Sequence, residues 1–160
     1  MKFSTPDLSD KYPSIPAMKI QFRRFGRKTF FSGTAVTIRC NEDNSLVKNC
    51  ASQIGEGRIM VVDGGGSLGK ALVGDKIALL AVSNGWAGFL INGAVRDVEI
   101  LKDINLGILA LGVSPMRTVK LGAGSVGIPL MLGGVQVNNG DYVYCDDNGV
   151  LVSEFDLLNQ

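Results

Sequence analysis

Small and β-branched residues alternate from Ser32 to Cys40, a pattern that predicts a strand. A helix is expected from Asn44-Ser45 through Leu46 and Val47 to about Gln53, stopped by Gly55 and Gly57. The central third then reads as strand Arg58 to Val62, glycine turn Gly64-Gly65-Gly66 and a helical stretch to Asn84-Gly85. Strand Phe89 to Ile91, a turn at Gly93, a short helix from Val98 to Lys102 and strand Ile108 to Leu111 follow. Within the helical stretch, Gly74-Asp75 breaks the pattern and reads as a second helix start. Strands alternating with helices at this spacing predict an α/β fold with a parallel βαβ centre. The last third changes to short strands, Val135 to Val137, Tyr142 to Tyr144 and Val150 to Val152, joined by hairpin signals at Asn139-Gly140 and Asn148-Gly149.

No repeat or linker divides the chain, and 160 residues suit one domain spanning positions 1–160. A net charge of +1 gives no electrostatic basis for binding nucleic acid directly or lying on a membrane. The longest apolar stretch, Leu106 to Val113, is far below the roughly 18 residues needed to span a bilayer, and Met1 to Asp7 lacks the signal-peptide pattern. Cys40, Cys50 and Cys145 are odd in number and form no C-x-x-C pair, which points to a reducing, cytoplasmic setting. The count that restricts chemistry most is zero histidines. It excludes Ser-His-Asp and Cys-His nucleophiles, imidazole proton shuttles and His-ligated metals. Carboxylates, Arg, Lys, hydroxyls, backbone amides and a bound ion remain.

Of 21 glycines, 19 lie between Gly55 and Gly149, so the middle and end of the chain are rich in turns and close backbone approaches. Gly64, Gly66 and Gly69 fit the dinucleotide pattern G-x-G-x-x-G, but Asn92-Gly93 stands where a ribose-binding acid belongs. Gly64, Gly69 and Lys70 nearly spell a phosphate loop, yet Ala71 replaces the hydroxyl that would hold magnesium. A turn leading out of Val61-Val62-Asp63 accounts for these glycines better. The basic run Arg23-Arg24-Phe25-Gly26-Arg27-Lys28 reads as a solvated loop or subunit contact, with an anion or partner grip as the other reading.

Two segments carry candidate chemistry. A helix starting at Gly74-Asp75 would present unpaired amides from Gly74 to Ile77 at the positive end of its dipole, a cradle for a carboxylate. Asn92-Gly93-Ala94-Val95-Arg96-Asp97 follows an apolar strand, where α/β sheets place their ligand sites. There the Arg96 guanidinium suits a carboxylate and the Asp97 carboxylate suits a hard cation such as Mg²⁺, which keeps several waters and needs few protein ligands.

Val61 to Leu68, Ala71 to Asp75, Ala81-Val82, Asn84 to Gly88, Asn92 to Asp97 and Gly133-Gly134-Val135 together resemble the RraA-like family. That family includes class II 4-hydroxy-4-methyl-2-oxoglutarate aldolases and the RraA regulators of ribonuclease E. The resemblance continues through Gly140-Asp141 and Asp146 to Val150. It implies a swivelling-type α/β/β domain that forms homotrimers, with sites where subunits meet. It also implies that Asp97 holds a divalent cation, Mg²⁺ or Mn²⁺, and that Arg96 binds the keto-acid end of a small 2-oxo acid. The backbone of Gly74, Asp75, Lys76 and Ile77 would take the carboxylate, and the Asp75 side chain would orient water on the metal. The implied reaction is aldol cleavage of a 4-hydroxy-2-oxo diacid to pyruvate, with oxaloacetate decarboxylation through the same enolate. The alternative is a non-catalytic protein that binds a ribonuclease. A Schiff-base aldolase would need a desolvated lysine, and Lys70, Lys76 and Lys120 do not sit in apolar runs. Arg39, Glu99, Arg117 and Lys120 are further candidates to line the site, whereas Phe30-Phe31 and Trp86 read as core or subunit packing.

Overall fold

The strands at the centre of the sheet are apolar on both faces, which requires a cover on each side. A computed structural model describes residues 2–159. In chain order its first elements are α1 (Thr5–Lys11), β1 (Arg23–Arg24), β2 (Phe30–Arg39), α2 (Ser45–Ala51), β3 (Ile59–Asp63), β4 (Ala71–Val73) and α3 (Asp75–Ser83). There follow β5 (Gly88–Val95), α4 (Val98–Leu101), β6 (Gly107–Val113), β7 (Ser125–Val126), β8 (Leu130–Leu132), β9 (Val135–Val137), β10 (Tyr142–Asp146) and β11 (Gly149–Ser153). The large sheet runs β1-β6-β5-β3-β2-β10-β11, with β4 added beside β5 and β7 beside β2. Strands β2, β3, β5 and β6 are mutually parallel, while β1, β7, β10 and β11 join antiparallel.

Side-chain alternation divides the core into two layers. Along β3, Met60 and Val62 face the helices and pack with Val47, Ala51, Ile77, Ala78, Ala81 and Leu101. Ile59 and Val61 face the other way, onto Leu130, Leu132, Val135 and Val137 of the separate β8-β9 hairpin. The result is the expected α/β/β layering around a parallel centre. Helix α1 covers a third, smaller cluster with Leu8 against Tyr144 and Leu151. Phe31 and Trp86 are buried, as expected of packing residues.

Several local expectations are corrected. The chain between the glycine turn and Gly74 is not helical; Ala71–Val73 is strand β4, whose Ala71 and Val73 register with Ala94 and Val95. Pairing to a neighbouring strand outweighs the helix propensity of this short run. Gly93 does not end the preceding strand either: β5 continues to Val95 past an irregularity in its register with β6. Asn139-Gly140 does not close a hairpin. Strand β9 pairs with β8 and β10 with β2, because Gly140, at φ +92°, turns the chain onto β2 through Gly140 N–H to Ala35 O at 2.8 Å. The hairpin turn is instead Gly133-Gly134, both at positive φ, as a tight two-residue connection requires. Asn148-Gly149 does close the β10-β11 hairpin. The basic run places Arg23 and Arg24 in β1 on the edge of β6, where Arg24 pairs with Asp147 at 2.7 Å.

Candidate functional site

Strands β4 and β5 run parallel and end together, so the residues that leave them, Gly74 and Arg96-Asp97, emerge side by side. Arg96 N–H donates to Val73 O at 3.0 Å and carries the pairing one step further. Asp97 then takes a left-handed conformation, φ +59° and ψ +38°, one that Asp tolerates better than most residues. The turn aims its carboxylate at the start of α3, where Asp97 Oδ2 accepts the Asp75 N–H at 3.0 Å. A negative charge here is favoured by the helix dipole. Gly74, the N-cap of α3, has an ordinary extended backbone, φ −126° and ψ −163°. Its glycine identity answers to space: a Cβ would lie 2.5 Å from Asp97 Oδ2 and 3.3 Å from Arg96 Cγ.

These residues line a cleft of about 370 Å³. Gly74, Asp75, Lys76, Ile77, Arg96 and Asp97 are all present in it. Asp75 Oδ1 accepts the Lys76 N–H at 2.8 Å, so the protein's own carboxylates already engage two amides of the first turn of α3. Arg96 is held between Pro115 O, 3.4 Å from Nη1, and Asp97 Oδ2, 4.0 Å from Nε. Of the other candidates, Arg117 and Lys120 line the cleft; Arg39 lies instead near Asp63 and Pro129 O, and Glu99 stays exposed on α4. Lys48 and Asn44 line the cleft without having been singled out. Their i, i+4 spacing at the start of α2, which puts both on one face, was the available signal. Five cations, Lys48, Lys76, Arg96, Arg117 and Lys120, thus surround two carboxylates, and the excess favours an anionic ligand carrying more than one negative charge.

Among the described residues no three His, Cys, Asp or Glu side chains gather closely enough to chelate an ion by themselves. Asp97 supplies one hard oxygen ligand at a water-accessible cleft, with Asp75 beside it. That donor set fits Mg²⁺ or Mn²⁺ completed by water and ligand, and it offers nothing to a thiolate- or imidazole-seeking metal. Lys76 and Lys120 are exposed, without the apolar enclosure a Schiff-base lysine requires.

The glycine turn is closed onto its own chain. Gly64 and Gly66 N–H both reach Asn92 O, at 3.0 and 3.1 Å, and Gly65 N–H reaches Asp63 Oδ1 at 2.9 Å. With those amides engaged and a strand following, the turn offers no phosphate cradle. Two hollows of about 410 and 420 Å³ lie elsewhere, one beside Arg27 and Lys28, the other beside Asp141 and Glu154; neither joins an arginine to a carboxylate.

The model of the RraA-like family, described as Aldolase/RraA, matches residues 5–152. The chain belongs to the RraA-like family. A relative from Xanthomonas campestris, named "Putative 4-hydroxy-4-methyl-2-oxoglutarate aldolase", is 50% identical over 96% of this chain and 92% of its own. The solved structure of the RNA-processing inhibitor RraA from Thermus thermophilis superposes with a TM-score of 0.92 at 42% identity, covering 96% of this chain and 94% of that one. A Geobacillus kaustophilus structure titled as an S-adenosylmethionine: 2-dimethylmenaquinone methyltransferase superposes at 0.96 with 36% identity over 99% of both chains. Relatives sharing the RraA-like fold thus carry three different functional names, so the site must decide among activities.

Proposed function

We propose that this RraA-like protein is a divalent-metal-dependent lyase that cleaves 4-hydroxy-4-methyl-2-oxoglutarate and similar 4-hydroxy-2-oxo diacids, releasing pyruvate. The observation that carries the reading is the convergence of Gly74-Asp75 with Arg96-Asp97 at adjacent strand ends in a cationic cleft. The names of its relatives agree with it. Cleavage breaks the C3–C4 bond: the C4 hydroxyl loses its proton, C4 becomes a carbonyl, and the bonding electrons stay on C3 as the enolate of pyruvate. Protonation of C3 completes the release. A cation held by Asp97 would act as a Lewis acid toward the 2-oxo and carboxylate oxygens. Arg96, anchored by Pro115 O, would neutralise the charge that grows on the enolate oxygen, and the α3 N-terminus would favour the adjoining carboxylate. Asp75 sits at the mouth of that helix, where its carboxylate can order the water that removes the hydroxyl proton. Oxaloacetate would lose CO₂ through the same enolate, a side activity of this site.

Association of three copies, with clefts near their contacts, is part of this reading. Met116, Val119, Leu121 and Val126 are large apolar residues exposed on the segment beside the cleft. Free, buried Cys40, Cys50 and Cys145 accord with a reducing cytoplasm. The second reading, a regulator that binds a ribonuclease, is favoured by the match to an RNA-processing inhibitor and would not need the cleft's carboxylates. The deciding experiment measures pyruvate release from the hydroxy-oxo diacid and from oxaloacetate with Mg²⁺ or Mn²⁺, beside Asp97→Ala. Metal-independent turnover, or full activity in the variant, would overturn the enzymatic reading.

A further inference from the structure

Arg117 and Lys120 bring the segment from Arg117 to Ala123 against the cleft, and three consecutive residues leading into α2 hold it there. Asp43 Oδ2 accepts the N–H groups of Leu121 and Ala123 at 2.8 and 3.1 Å, and Ser45 Oγ accepts that of Gly122 at 3.1 Å. Asn44, between them, is buried. Its Nδ2 donates to Leu72 O on β4 at 3.1 Å, and its Oδ1 accepts from Thr118 Oγ1 at 2.7 Å and from Lys120 Nζ at 3.1 Å. Lys120 can only donate and Leu72 O can only accept, so these partners fix which end of the Asn44 amide is which.

Arg117 and Lys120 differ in how they are placed. Arg117 follows Met116, whose carbonyl accepts the Ala71 N–H at 2.8 Å, and its own backbone bridges Ala71, so β4 sets its position. Lys120 is a flexible, exposed side chain, and Asn44 Oδ1 is its hydrogen-bond partner among the described residues. Through one rigid amide, Asn44 therefore links Lys120 to β4, the strand that leads directly into Gly74 and the α3 N-terminus. Lys120 and the α3 N-terminus, both lining the cleft, are thus tied to the same strand.

We propose that Asn44 is a positioning residue that holds Lys120 as the contact for a ligand's second carboxylate, so that the cleft selects 2-oxo diacids over 2-oxo monoacids. This deepens the aldolase reading and rests on it for the orientation of the keto-acid end. An ammonium immobilised by a neutral acceptor keeps its charge for the ligand, whereas a carboxylate in the place of Asn44 would neutralise it. Asn44 also avoids the entropy cost of ordering a four-carbon chain at the moment of binding.

The test is binding, which needs no turnover. Affinities for 2-oxoglutarate and 2-oxopentanoate, five-carbon acids that differ in the far carboxylate, are measured by calorimetry in Mg²⁺. Wild type is expected to prefer 2-oxoglutarate by about tenfold to a hundredfold, the worth of one charge-assisted hydrogen bond. Lys120→Met and Asn44→Ala should each bring the ratio close to one by weakening the diacid alone, and the double variant should go no further than Lys120→Met. Asn44→Ser keeps a polar group in the pocket but cannot span to Lys120, and where Asn44→Ala folds poorly it should bring the ratio close to one in its place. A wild type without preference, an unchanged ratio in Lys120→Met, or Asn44 variants that weaken both acids equally would overturn the proposal. The diacid preference without pyruvate release from any 4-hydroxy-2-oxo diacid would instead overturn the aldolase reading and leave this inference standing.

Discussion

The Asp97 carboxylate accepts the backbone N–H of Asp75 at 3.0 Å, so the proposed metal ligand also caps the helix that opens onto the cleft. Asp97→Ala and Asp97→Asn separate the two roles. The alanine variant loses charge and acceptor together and should melt earlier by the equivalent of about 1 kcal/mol, the usual worth of a cap. Asparagine keeps an oxygen for the Asp75 amide and should melt close to wild type. Pyruvate release should fall by about a hundredfold or more in both, the scale seen when one electrostatic stabiliser is removed. Chelation of wild type should match that loss without the change in melting. A normally active Asp97→Asn would exclude a metal-binding role for this carboxylate.

Gly74→Ala is expected to damage activity more than stability. The backbone at Gly74 is extended and admits any residue, but the new methyl would stand 2.5 Å from Asp97 Oδ2 and must push that carboxylate aside. Melting should fall by the equivalent of about 1 kcal/mol, since glycine caps a helix better than alanine by roughly that amount. Turnover should drop by at least about tenfold, as expected of a misplacement near 1 Å. Comparison of melting curves with kcat settles the matter; a parallel loss of both would mean that the methyl disrupts the fold.

The strand-helix alternation of the central third was legible because β3, the Phe89–Ile91 stretch of β5 and β6 are apolar runs bounded by turns, and Gly74-Asp75 was legible as a helix start. Strand β4 was hidden by its length of three residues, too short to carry a period. Asn92-Gly93 looked like a turn because a register irregularity in β5 produces the same residues. The contact between Asn44 and Lys120 joins positions 76 apart in sequence, and no local pattern announces such a pair. Gly107 shows the same limit: a Cβ there would fall 2.1 Å from the ring of Phe31, a clash created by β2 packing across the sheet. Gly107→Ala should therefore destabilise by about 1–3 kcal/mol, the range for overpacking a core, and chemical denaturation would measure it.

All three thiols should be silent in the native protein. Burial pushes the Cys40 thiol up to about 11, with the negative charges of Asp43 and Asp63 adding to the effect. Burial raises Cys50 as well, and raises Cys145 further with help from Asp146. A disulfide reagent at pH 8 should find less than about one equivalent in folded protein and three after denaturation, because thiolate is the reactive form. Rapid labelling of any one in the native state would contradict its burial.

The response to acid should run through Asp43. Burial alone would raise its carboxyl, but the Ser45 hydroxyl and the amides of Ser45, Ala123 and Leu121 outweigh it and hold the group well below the usual carboxylate range. Since the folded value lies below the unfolded one near 3.9, the unfolded chain takes up the proton first as pH falls. The stabilisation is complete above about pH 5 and drains away as pH drops below about 4. Asp146, held low in the same direction by Thr5 and Asn148 against its burial, adds to the slope. Asp43→Asn presents an amide group to donors that need an acceptor, and should cost about 1–3 kcal/mol at pH 7. Because the wild type loses its own advantage on protonation, the gap between the two proteins should narrow toward pH 3. Urea denaturation across that range would detect it; a gap independent of pH would show that the Asp43 charge has no part in holding the Leu121–Ala123 segment.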